Sequence, residues 1–356
     1  MKHTRSWILL GLTAPALLAL ARPADEILFA PAAGLSLQKT FEVSVTSAID
    51  DMEIAVDGNP MPAPQMEVET TQSNTVTVTD AYVKAEGSRV LVLQRSFDEL
   101  SGGVDLSMTH PVQGPVEQEM LSESDLEGAT VVFHWNADDE AYEVEFAEGD
   151  ADNDEELLEG LVENMDLAEF LPSEAVSPDD SWSFPASALV SVLVPGGYLS
   201  MVPEEVAPEM DAGSGLDFSR QLGDLEGDCT ATYVGSKRTD AGTLATIRLT
   251  IEASSTRDIT EFMAEAVRKS AEQLKAAGME QEVQSADATF EFELEGELVW
   301  NVDGGHFESL ELNGTTEIVI DLALVMNAMG KQMDVENAIY SSGEITATAL
   351  AVAASE

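Results

Sequence analysis

The sequence predicts a mainly β fold of the α+β class, with one or two long, curved antiparallel sheets in a half-barrel or sandwich-like arrangement. Apolar and polar residues alternate with period two in many windows, which is typical of strands with one buried and one solvated face. Turn sequences such as Asn313-Gly314 separate successive windows and indicate antiparallel hairpins. Two stretches have helical periodicity instead, and we expect these amphipathic helices to pack on the apolar face.

The clearest strand pattern lies between residues 290 and 302. The apolar face of this segment carries Phe290, Phe292, Leu294, Leu298 and Trp300, and the opposite face carries glutamates. At about 3.3 Å per residue the segment spans about 43 Å, and strands of this length are typical of wide, curled sheets. Gly296 stands where an apolar side chain is due, which predicts a bend or bulge there.

The next strand follows a turn at residues 303–305 and a second turn at 313–314. Ile318, Ile320 and Leu322 share one face of this strand. The predicted apolar inner wall therefore consists of Phe290, Phe292, Leu294, Leu298, Trp300, Ile318, Ile320 and Leu322. The same alternation occurs earlier, for example at Phe41 and Val43, and it closes the chain near residues 345–351.

Two helices interrupt the strand pattern. The first is predicted from about 155 to 170, behind acidic caps at residues 152–154. The second is predicted from about 260 to 277, with Gly278 as its stop. Residues 186–194 fit a buried strand or a helix equally well. Residues 57–72 and 203–228 are interpreted as loops because they are rich in Pro, Gly or acids.

The amino terminus has the pattern of an export signal. Basic residues precede an apolar stretch, and Ala19-Leu20-Ala21 supplies small residues at the cleavage spacing, which predicts a signal peptide over residues 1–21. No Cys follows the signal, so we expect no N-terminal lipid anchor, and no later window approaches the roughly 20 apolar residues of a membrane-spanning helix. The predicted location is therefore periplasmic or secreted.

The mature chain divides into two predicted halves. Residues 22–202 form a β-rich half with the first helix, and residues 229–356 form a β-meander half with the second helix. The acidic stretch 203–228 is the candidate linker between them. The two halves are also compatible with one continuous domain.

Charge restricts the class of partner. The chain of 356 residues has 67 acidic and 16 basic residues, for a formal net charge of -51. Such a surface repels nucleic acid and anionic lipid headgroups, and it is typical of proteins adapted to saline water. With 44% hydrophobic residues the chain can nevertheless bury a sizeable core.

An acidic run precedes the first predicted helix and raises the question of a metal site. Asp150, Asp152 and Asp154 alternate on a short loop, as carboxylates do in calcium-binding loops. The expected turn glycine is Glu155 and the expected closing glutamate is Leu161, so the match is partial. The alternative is negative charge gathered at a helix N-terminus without any metal. We predict no cofactor other than this candidate calcium ion, and no close His/Cys spacing supports a zinc site.

Catalytic signatures are weak, and we predict a protein that is not an enzyme. Cys229 lies among acidic neighbours that disfavour a thiolate. Ser36 and Lys39 have S-x-x-K spacing without companion motifs, which chance explains. Low aromatic content and the two predicted helices argue against an outer-membrane barrel. No residue is therefore assigned a catalytic role.

One segment carries a family resemblance. Residues 171–182 read LPSEAVSPDDSW and resemble a segment of uncharacterised exported bacterial proteins that has a Leu-Pro, a Val, a Gly-Asp and a Trp. The matching positions are Leu171, Pro172, Val176, Asp180 and Trp182. Asp179 stands where the family has Gly. The resemblance implies export and a β-rich fold, and it implies no activity; the residues themselves indicate a turn followed by an aromatic that returns to the core.

Together these features favour an exported, non-enzymatic binding protein. A wide, curved sheet covered by only two helices leaves apolar surface on its concave side, so the leading hypothesis is a carrier of an apolar or lipid-like ligand. The alternative is a structural or interaction module of the cell envelope, whose acidic surface binds cations or a partner protein.

Overall fold

The computed structural model describes residues 25–63, 67–110, 114–150, 153–203, 222, 224–240, 242–265, 267–268, 279–328 and 331–354. Within these ranges the strands form one antiparallel sheet of 14 strands. The predicted mainly β, antiparallel fold is thereby confirmed, in the form of one open sheet. The predicted signal peptide lies outside the described residues.

The strands differ greatly in length, and the three longest follow one another at the C-terminal end. Their bounds are β1 Ser36–Val56, β2 Asn59–Met61, β3 Glu67–Glu86, β4 Arg89–His110, β5 Gly114–Glu123, β6 Thr130–Asn136, β7 Ala141–Phe146, β8 Ser181–Ser183, β9 Val202–Pro203, β10 Glu226–Thr239, β11 Gly242–Asp258, β12 Met279–Asn301, β13 His306–Ala328 and β14 Lys331–Ala353. The order across the sheet is β7-β6-β4-β3-β1-β14-β13-β12-β11-β10-β8. Strand β2 pairs with β1, β5 pairs with β4, and β9 pairs with β5.

The two predicted halves meet at the centre of this sheet. Strand β1 pairs with the last strand, β14, from Leu37 opposite Ala353 to Val56 opposite Val335. The halves therefore belong to one continuous sheet. The loop predicted over 203–228 ends earlier than expected, because β10 begins at Glu226, while residues 204–221 and 223 lie outside the described residues.

The loop predicted over residues 57–72 is also wrong in part. Strand β2 lies within it, and β3 begins at Glu67. The Pro and Met content of the region suggested a loop, but residues 67–72 alternate in burial and pair with β1 and β4. Cross-strand pairing thus outweighs local composition here.

Glycines mark a line where adjacent strands approach too closely for a side chain. A Cβ atom added at Gly296 in β12 would lie 1.9 Å from the carbonyl oxygen of Glu311 in β13. The same conflict, also at 1.9 Å, would occur between Gly314 in β13 and the carbonyl of Glu293, and between Gly343 in β14 and the carbonyl of Thr46. Glycine at these positions lets the adjacent backbones approach closely. The strand register runs unbroken through Gly296, so the bulge predicted there is wrong.

The helix predicted from about 155 to 170 is wrong. The chain there forms two short 3₁₀ helices, Glu155–Leu158 and Ala168–Phe170, with irregular backbone between them. In a helix, the carbonyls of Val162 and Glu163 would accept hydrogen bonds from backbone amides. Here they accept from Arg95 instead: Nη1 donates to Val162 O at 2.9 Å, and Nη2 donates to Glu163 O at 2.8 Å. The segment still packs on the sheet without being helical: Leu161, Met165, Leu167 and Phe170 are buried, whereas Val162 is exposed.

Two further regions contain helical backbone, residues 186–193 and the start of the second predicted helix. The segment that fitted either structure is a 3₁₀ helix, Ala186–Leu189, followed by one α-helical turn, Val190–Leu193, and it is largely buried. The second predicted helix begins at residue 260, and residues 260–265 and 267–268 are helical. Its predicted end near 277 lies outside the described residues.

The two faces of the sheet have opposite polarity. Inward side chains of β1, β3, β4, β6 and β10 to β14 belong to one hydrophobic core, together with side chains from residues 161–199. We infer that the sheet curls around this segment, because one face of so many strands can share a single core only in that way. On the outward, convex face, Glu291, Glu293, Glu295 and Glu297 are exposed.

Candidate functional site

Seven neighbouring strands continue past the packed core, and this part of the sheet, whose base still includes the core residues Phe290 and Ile318, is called the distal sheet. Its base is a row of residues in direct register: Thr316 faces Gly343, Gly343 faces Ser47, and Ser47 faces Thr70. The distal sheet consists of residues 47–56, 67–72, 104–110, 114–121, 279–290, 316–328 and 331–343. Its concave face is lined by aliphatic and methionine side chains, most of them only half-buried.

A cavity lies on the concave face just above the base row. Its volume is about 400 Å³, which is within the range of small-ligand sites. The wall is mostly apolar, and its apolar side chains are Ile49, Val68, Val104, Leu106, Met120, Ile318, Ile320 and Ile339. The polar side chains of Ser47, Thr70 and Ser341 also line it. A second hollow of about 680 Å³ lies on the same strands, and its lining is largely at outward positions, among them the carboxylates of Glu53, Asp287, Asp321 and Glu336.

Charged residues avoid the concave face of the distal sheet. Acidic residues are common in these strands, but the strand pairing places them at outward positions, as with Asp287 opposite Asp321. Among the inward positions whose side chains the structure describes, Lys331 is the one charged residue, and it is exposed at the tip of β14. The concave face is therefore apolar with a few neutral polar groups.

Two buried polar groups near the base of the cavity lack hydrogen-bond partners in the described part of the chain. They are the Oε1 atom of Gln72 and the hydroxyl oxygen of Thr316; the Oδ1 atom of Asn337, at an inward position farther along β14, lacks a partner as well. Gln72 is 8% exposed and faces the cavity-lining Val104 across β3 and β4. Thr316 is 1% exposed and precedes the cavity-lining Ile318 on the same face of β13. Most buried polar side-chain atoms in proteins are hydrogen-bonded, so these two require a reason.

A buried network of ion pairs lies deeper on the concave face, below the base row. Lys39 Nζ lies 2.8 Å from Asp80 Oδ2 and 2.6 Å from Asp166 Oδ1. Arg95 donates to both oxygens of Asp80, from Nε at 2.7 Å and from Nη2 at 2.9 Å. The Tyr82 hydroxyl donates to Asp166. Two cations thus balance two carboxylates, so the network has no net charge.

The pKa values within this network follow from its burial and pairing. Burial alone would raise the pKa of Asp80, but the charges and hydrogen bonds of Arg95 and Lys39 outweigh it and lower the pKa to about 2. Burial, followed by the charges of Asp166 and Asp80, raises the pKa of Tyr82 well above its usual value. The Asp80 carboxylate therefore stays charged and the Tyr82 phenol stays neutral over the whole physiological range.

This buried ion-pair network was not predicted, although charged residues at inward strand positions indicate it. Lys39 lies between the inward residues Leu37 and Phe41, and Arg95 and Asp80 occupy equivalent inward positions on neighbouring strands. Charged residues at dry positions of adjacent strands indicate a buried ion-pair network. The S-x-x-K spacing of Lys39 is accordingly without catalytic meaning, because the side chain is 0% exposed and paired.

The predicted apolar wall is divided between two environments. Phe290, Phe292, Leu294, Leu298, Trp300 and Ile318 are at most 3% exposed and lie in the packed core. Ile320 and Leu322 are only half-buried and lie on the distal sheet. Of the predicted wall, only Ile320 and Leu322, near the end of β13, are therefore accessible to a ligand.

The predicted calcium ligands have ordinary structural contacts where they can be seen. Asp150 Oδ2 accepts a hydrogen bond from the Thr130 amide at 3.0 Å, and Asp154 Oδ1 accepts one from the Glu156 amide at 3.1 Å. Asp152 lies outside the described residues. No group of three or more metal-ligating side chains comes together among the residues that the structure describes. Calcium binding stays a prediction.

The lone cysteine is buried in β10. Burial, together with the charge of Asp228, raises the pKa of the Cys229 thiol. The thiol form is thus favoured at neutral pH, in agreement with the acidic neighbourhood seen in the sequence.

The segment with the family resemblance forms a turn against β10. Asp180 Oδ2 accepts from the Ser177 amide at 2.8 Å, and Asp179 has a φ of 75°, a conformation that favours glycine. Trp182 then turns inward, and its indole nitrogen donates to Phe170 O at 3.0 Å. The motif therefore has a structural role in anchoring the segment that crosses the concave face.

Comparisons with known proteins identify no family. No family model and no curated protein matches the sequence. The outer membrane protein OprG from Pseudomonas aeruginosa aligns at a TM-score of 0.25 and 8% identity, over 92% of this chain and 100% of that chain. The transport unit of the autotransporter AIDA-I from Escherichia coli aligns at a TM-score of 0.20 and 7% identity, over 86% and 89%. These scores establish neither a shared fold nor a shared function.

Within the described part of the chain, no helix combines the length and the apolarity needed to cross a membrane.

Proposed function

We propose that this chain is an exported, non-enzymatic binding protein that carries an apolar, lipid-like ligand on the concave face of the distal sheet. The observation that carries the proposal is the cavity of about 400 Å³ between Ile49, Leu106, Ile320 and Ile339. Apart from the buried Ile318, its larger apolar side chains are half-buried, on strands that continue past the packed core. The free energy falls when an apolar molecule displaces water from such a surface.

The ionisable groups on the concave face support binding over catalysis. Lys39, Asp80, Arg95 and Asp166 are at most 7% exposed, and they satisfy one another through ion pairs. A general acid or base must reach a substrate proton, and these side chains are sealed under the segment that crosses the sheet. The export pattern of residues 1–21 supports a periplasmic or secreted location.

The proposal is tested with the neutral fluorophore N-phenyl-1-naphthylamine and the processed chain. We expect saturable binding with enhanced fluorescence. Ile320→Glu places a charge on the cavity wall and should weaken binding at least about tenfold, because a buried unpaired carboxylate is strongly unfavourable. Val319→Glu places the same charge on the convex face of the same strand and should leave the affinity within about twofold. Absence of binding to the unmodified chain, or equal effects of the two variants, would refute the proposal.

A second candidate function is an envelope module whose acidic convex face gathers cations. The observation that favours it is the direct opposition of carboxylates on adjacent strands, as for Glu293 with Glu252 and Glu291 with Glu317. Like charges placed opposite each other are destabilising unless counterions screen them. Equilibrium dialysis against magnesium or calcium at millimolar concentration, with sodium as competitor, measures this capacity. If the protein takes up no more divalent cation than its net charge attracts of any counterion, a divalent-specific role is rejected.

A further inference from the structure

Strand β7 forms one edge of the 14-stranded sheet. Among the described strands, β7 pairs with β6 alone. The Ala147 amide, directly after β7, donates to Thr130 O at 2.9 Å, so this pair of positions is hydrogen-bonded. Hydrogen-bonded and non-hydrogen-bonded positions alternate along an antiparallel pair. The backbone N–H and C=O groups of Tyr142, Val144 and Phe146 therefore point away from β6, toward the free edge.

A groove lies along this free edge. Its volume is about 530 Å³, and it is lined by residues 144–146 of β7 and by residues at the 3₁₀ helix Glu155–Leu158. Successive strand residues point to opposite faces of a sheet, so a groove that contacts three in a row lies at the edge of the strand. The apolar side chains of Val144, Phe146 and Leu158 line the groove and are half-buried. An added strand would thus find both apolar contacts and unpaired backbone groups there.

The remaining lining of the groove is acidic. The carboxylates of Glu145, Glu155 and Glu159 are exposed, and Lys and Arg are absent from the lining that the structure describes. Glu145 Oε1 lies 3.2 Å from His134 Nε2 at the surface. Charge complementarity therefore favours an occupant with basic side chains.

The same charge disfavours a second copy of this chain as the occupant. Pairing of two β7 edges would bring the exposed Glu143 and Glu145 of one copy close to those of the other, and like charges at paired positions are destabilising. Charged side chains on edge strands commonly prevent self-association in this way. A basic strand meets the opposite situation, because its side chains attract these carboxylates.

From the unpaired backbone, the groove and its carboxylates we infer that β7 binds an extended, basic segment of a partner protein as an additional antiparallel strand. The apolar side chains of this segment lie on the face of Val144 and Phe146, and the alternate, basic side chains face the glutamates. The inference is independent of the ligand proposed for the distal sheet. Strand β6 pairs with residues 92–96 of β4, whereas the distal sheet includes residues 104–110 of that strand.

The experiment compares hexapeptides that carry a neutral fluorophore, by fluorescence anisotropy with the full processed chain at low ionic strength. The peptide KVKVKV alternates basic and apolar residues, whereas KKKVVV has the same composition and charge without the alternation. We expect KVKVKV to bind at least about tenfold more tightly than KKKVVV, because only the alternating peptide places its lysines on one face of a strand. Equal affinities would show general attraction to an acidic protein and overturn the inference, as would absence of KVKVKV binding.

Backbone methylation tests whether the peptide pairs as a strand. In an antiparallel pair with β7, the valine N–H groups of KVKVKV point toward β7 and the lysine N–H groups point away. N-methylation of the three valines should weaken binding at least about tenfold, and N-methylation of the three lysines should change it by less than about threefold. Equal losses in the two peptides would contradict strand addition. This comparison leaves the protein itself unaltered.

Protein variants locate the peptide. Glu145→Lys reverses a charge in the groove and should weaken KVKVKV binding at least about fivefold, whereas Glu295→Lys makes the same change on the convex face of β12 and should leave the affinity within about twofold. Val144→Pro removes an N–H that faces the free edge, where proline is tolerated, and should also weaken binding. Equal KVKVKV affinity in Glu145→Lys and Glu295→Lys would place the peptide elsewhere and overturn the inference.

Discussion

Lys39 Nζ lies 2.6 Å from Asp166 Oδ1, and this ion pair joins β1 to the irregular segment that crosses the concave face. The two residues are 127 positions apart in the chain. Asp80 and Arg95 extend the contact across β3 and β4, and Arg95 continues it to the backbone at Val162. A buried polar network thus fixes the position of a segment that has little regular secondary structure of its own.

Removing one partner of this network should be strongly destabilising. Lys39→Met leaves Asp80 and Asp166 with an uncompensated buried charge, and we expect a loss of about 3 to 5 kcal/mol in the free energy of unfolding. Lys84→Met removes an exposed lysine from β3 and should change the stability by less than about 0.5 kcal/mol. Urea unfolding followed by circular dichroism measures both. Similar losses in the two variants would contradict the structural role of Lys39.

The same network predicts a specific loss of stability in acid. The pKa of Asp80 is about 2 in the folded chain, and its ordinary value, which applies to the unfolded chain, is 3.8. A lowered folded-state pKa stabilises the fold above the unfolded pKa, so this contribution of about 2 kcal/mol is lost as the pH falls from about 4 to 2.

The control for the acid experiment replaces the whole network with apolar residues. The combined variant Lys39→Met, Asp80→Leu, Arg95→Met and Asp166→Leu has no buried charge left to neutralise, and such replacements often preserve the fold. Urea unfolding at pH 5, 4, 3 and 2 should show the acid loss in the unmodified chain and a smaller loss in the variant. An equal acid loss in both would show that Asp80 does not cause it.

The glycine line should tolerate no side chain. Gly296→Ala places a methyl group against the carbonyl oxygen of Glu311, and the strands must separate to accept it. We expect a loss of about 1 to 3 kcal/mol in the free energy of unfolding, because overpacking forces the backbone to shift. Gly149→Ala is the matched control, since a Cβ there meets no atom within 4 Å. Thermal unfolding that is unchanged in Gly296→Ala would show that the close approach of β12 and β13 does not depend on glycine.

The convex face should gain stability when one of its opposed carboxylates is reversed. Glu293 faces Glu252, so Glu293→Lys converts a repulsive pair into an attractive one and should stabilise the fold by about 0.2 to 1 kcal/mol at low salt. Glu295→Lys is the control, because its direct neighbours, Thr250 and Asn313, are uncharged. The difference between the variants should fall as sodium chloride is raised to 1 M. A difference that persists at high salt would rule out an electrostatic origin.

The elements that the sequence predicted well are those with strict alternation. Residues 290–302 have a buried side chain at nearly every second position, and β12 contains this segment up to Asn301 with the glutamates outward. The elements that it predicted poorly depend on distant residues. The stretch 155–170 has the apolar spacing of a helix, but the guanidinium of Arg95 binds its carbonyls and holds it in an irregular path.

Some residues of the candidate site could likewise be predicted from alternation, and others could not. Ile320 and Leu322 were part of the predicted apolar wall, because alternation reveals which residues share a face. Gln72 and Thr316 were not predicted, because a neutral polar residue in an alternating strand is compatible with either face until the strand pairing is known. The pairing of β3 with β1, and of β13 with β14, places both residues at the base of one concave surface.

The sequence by itself determined the β-rich class of the protein, its alternating faces and its acidic exterior, because these follow from residue order and composition within single strands. Only the tertiary structure decided that the first and last strands pair, that Lys39, Asp80, Arg95 and Asp166 form one network, and that the distal sheet extends beyond its core. Such features depend on contacts between residues far apart in the chain, and local periodicity contains no information about which strands become neighbours.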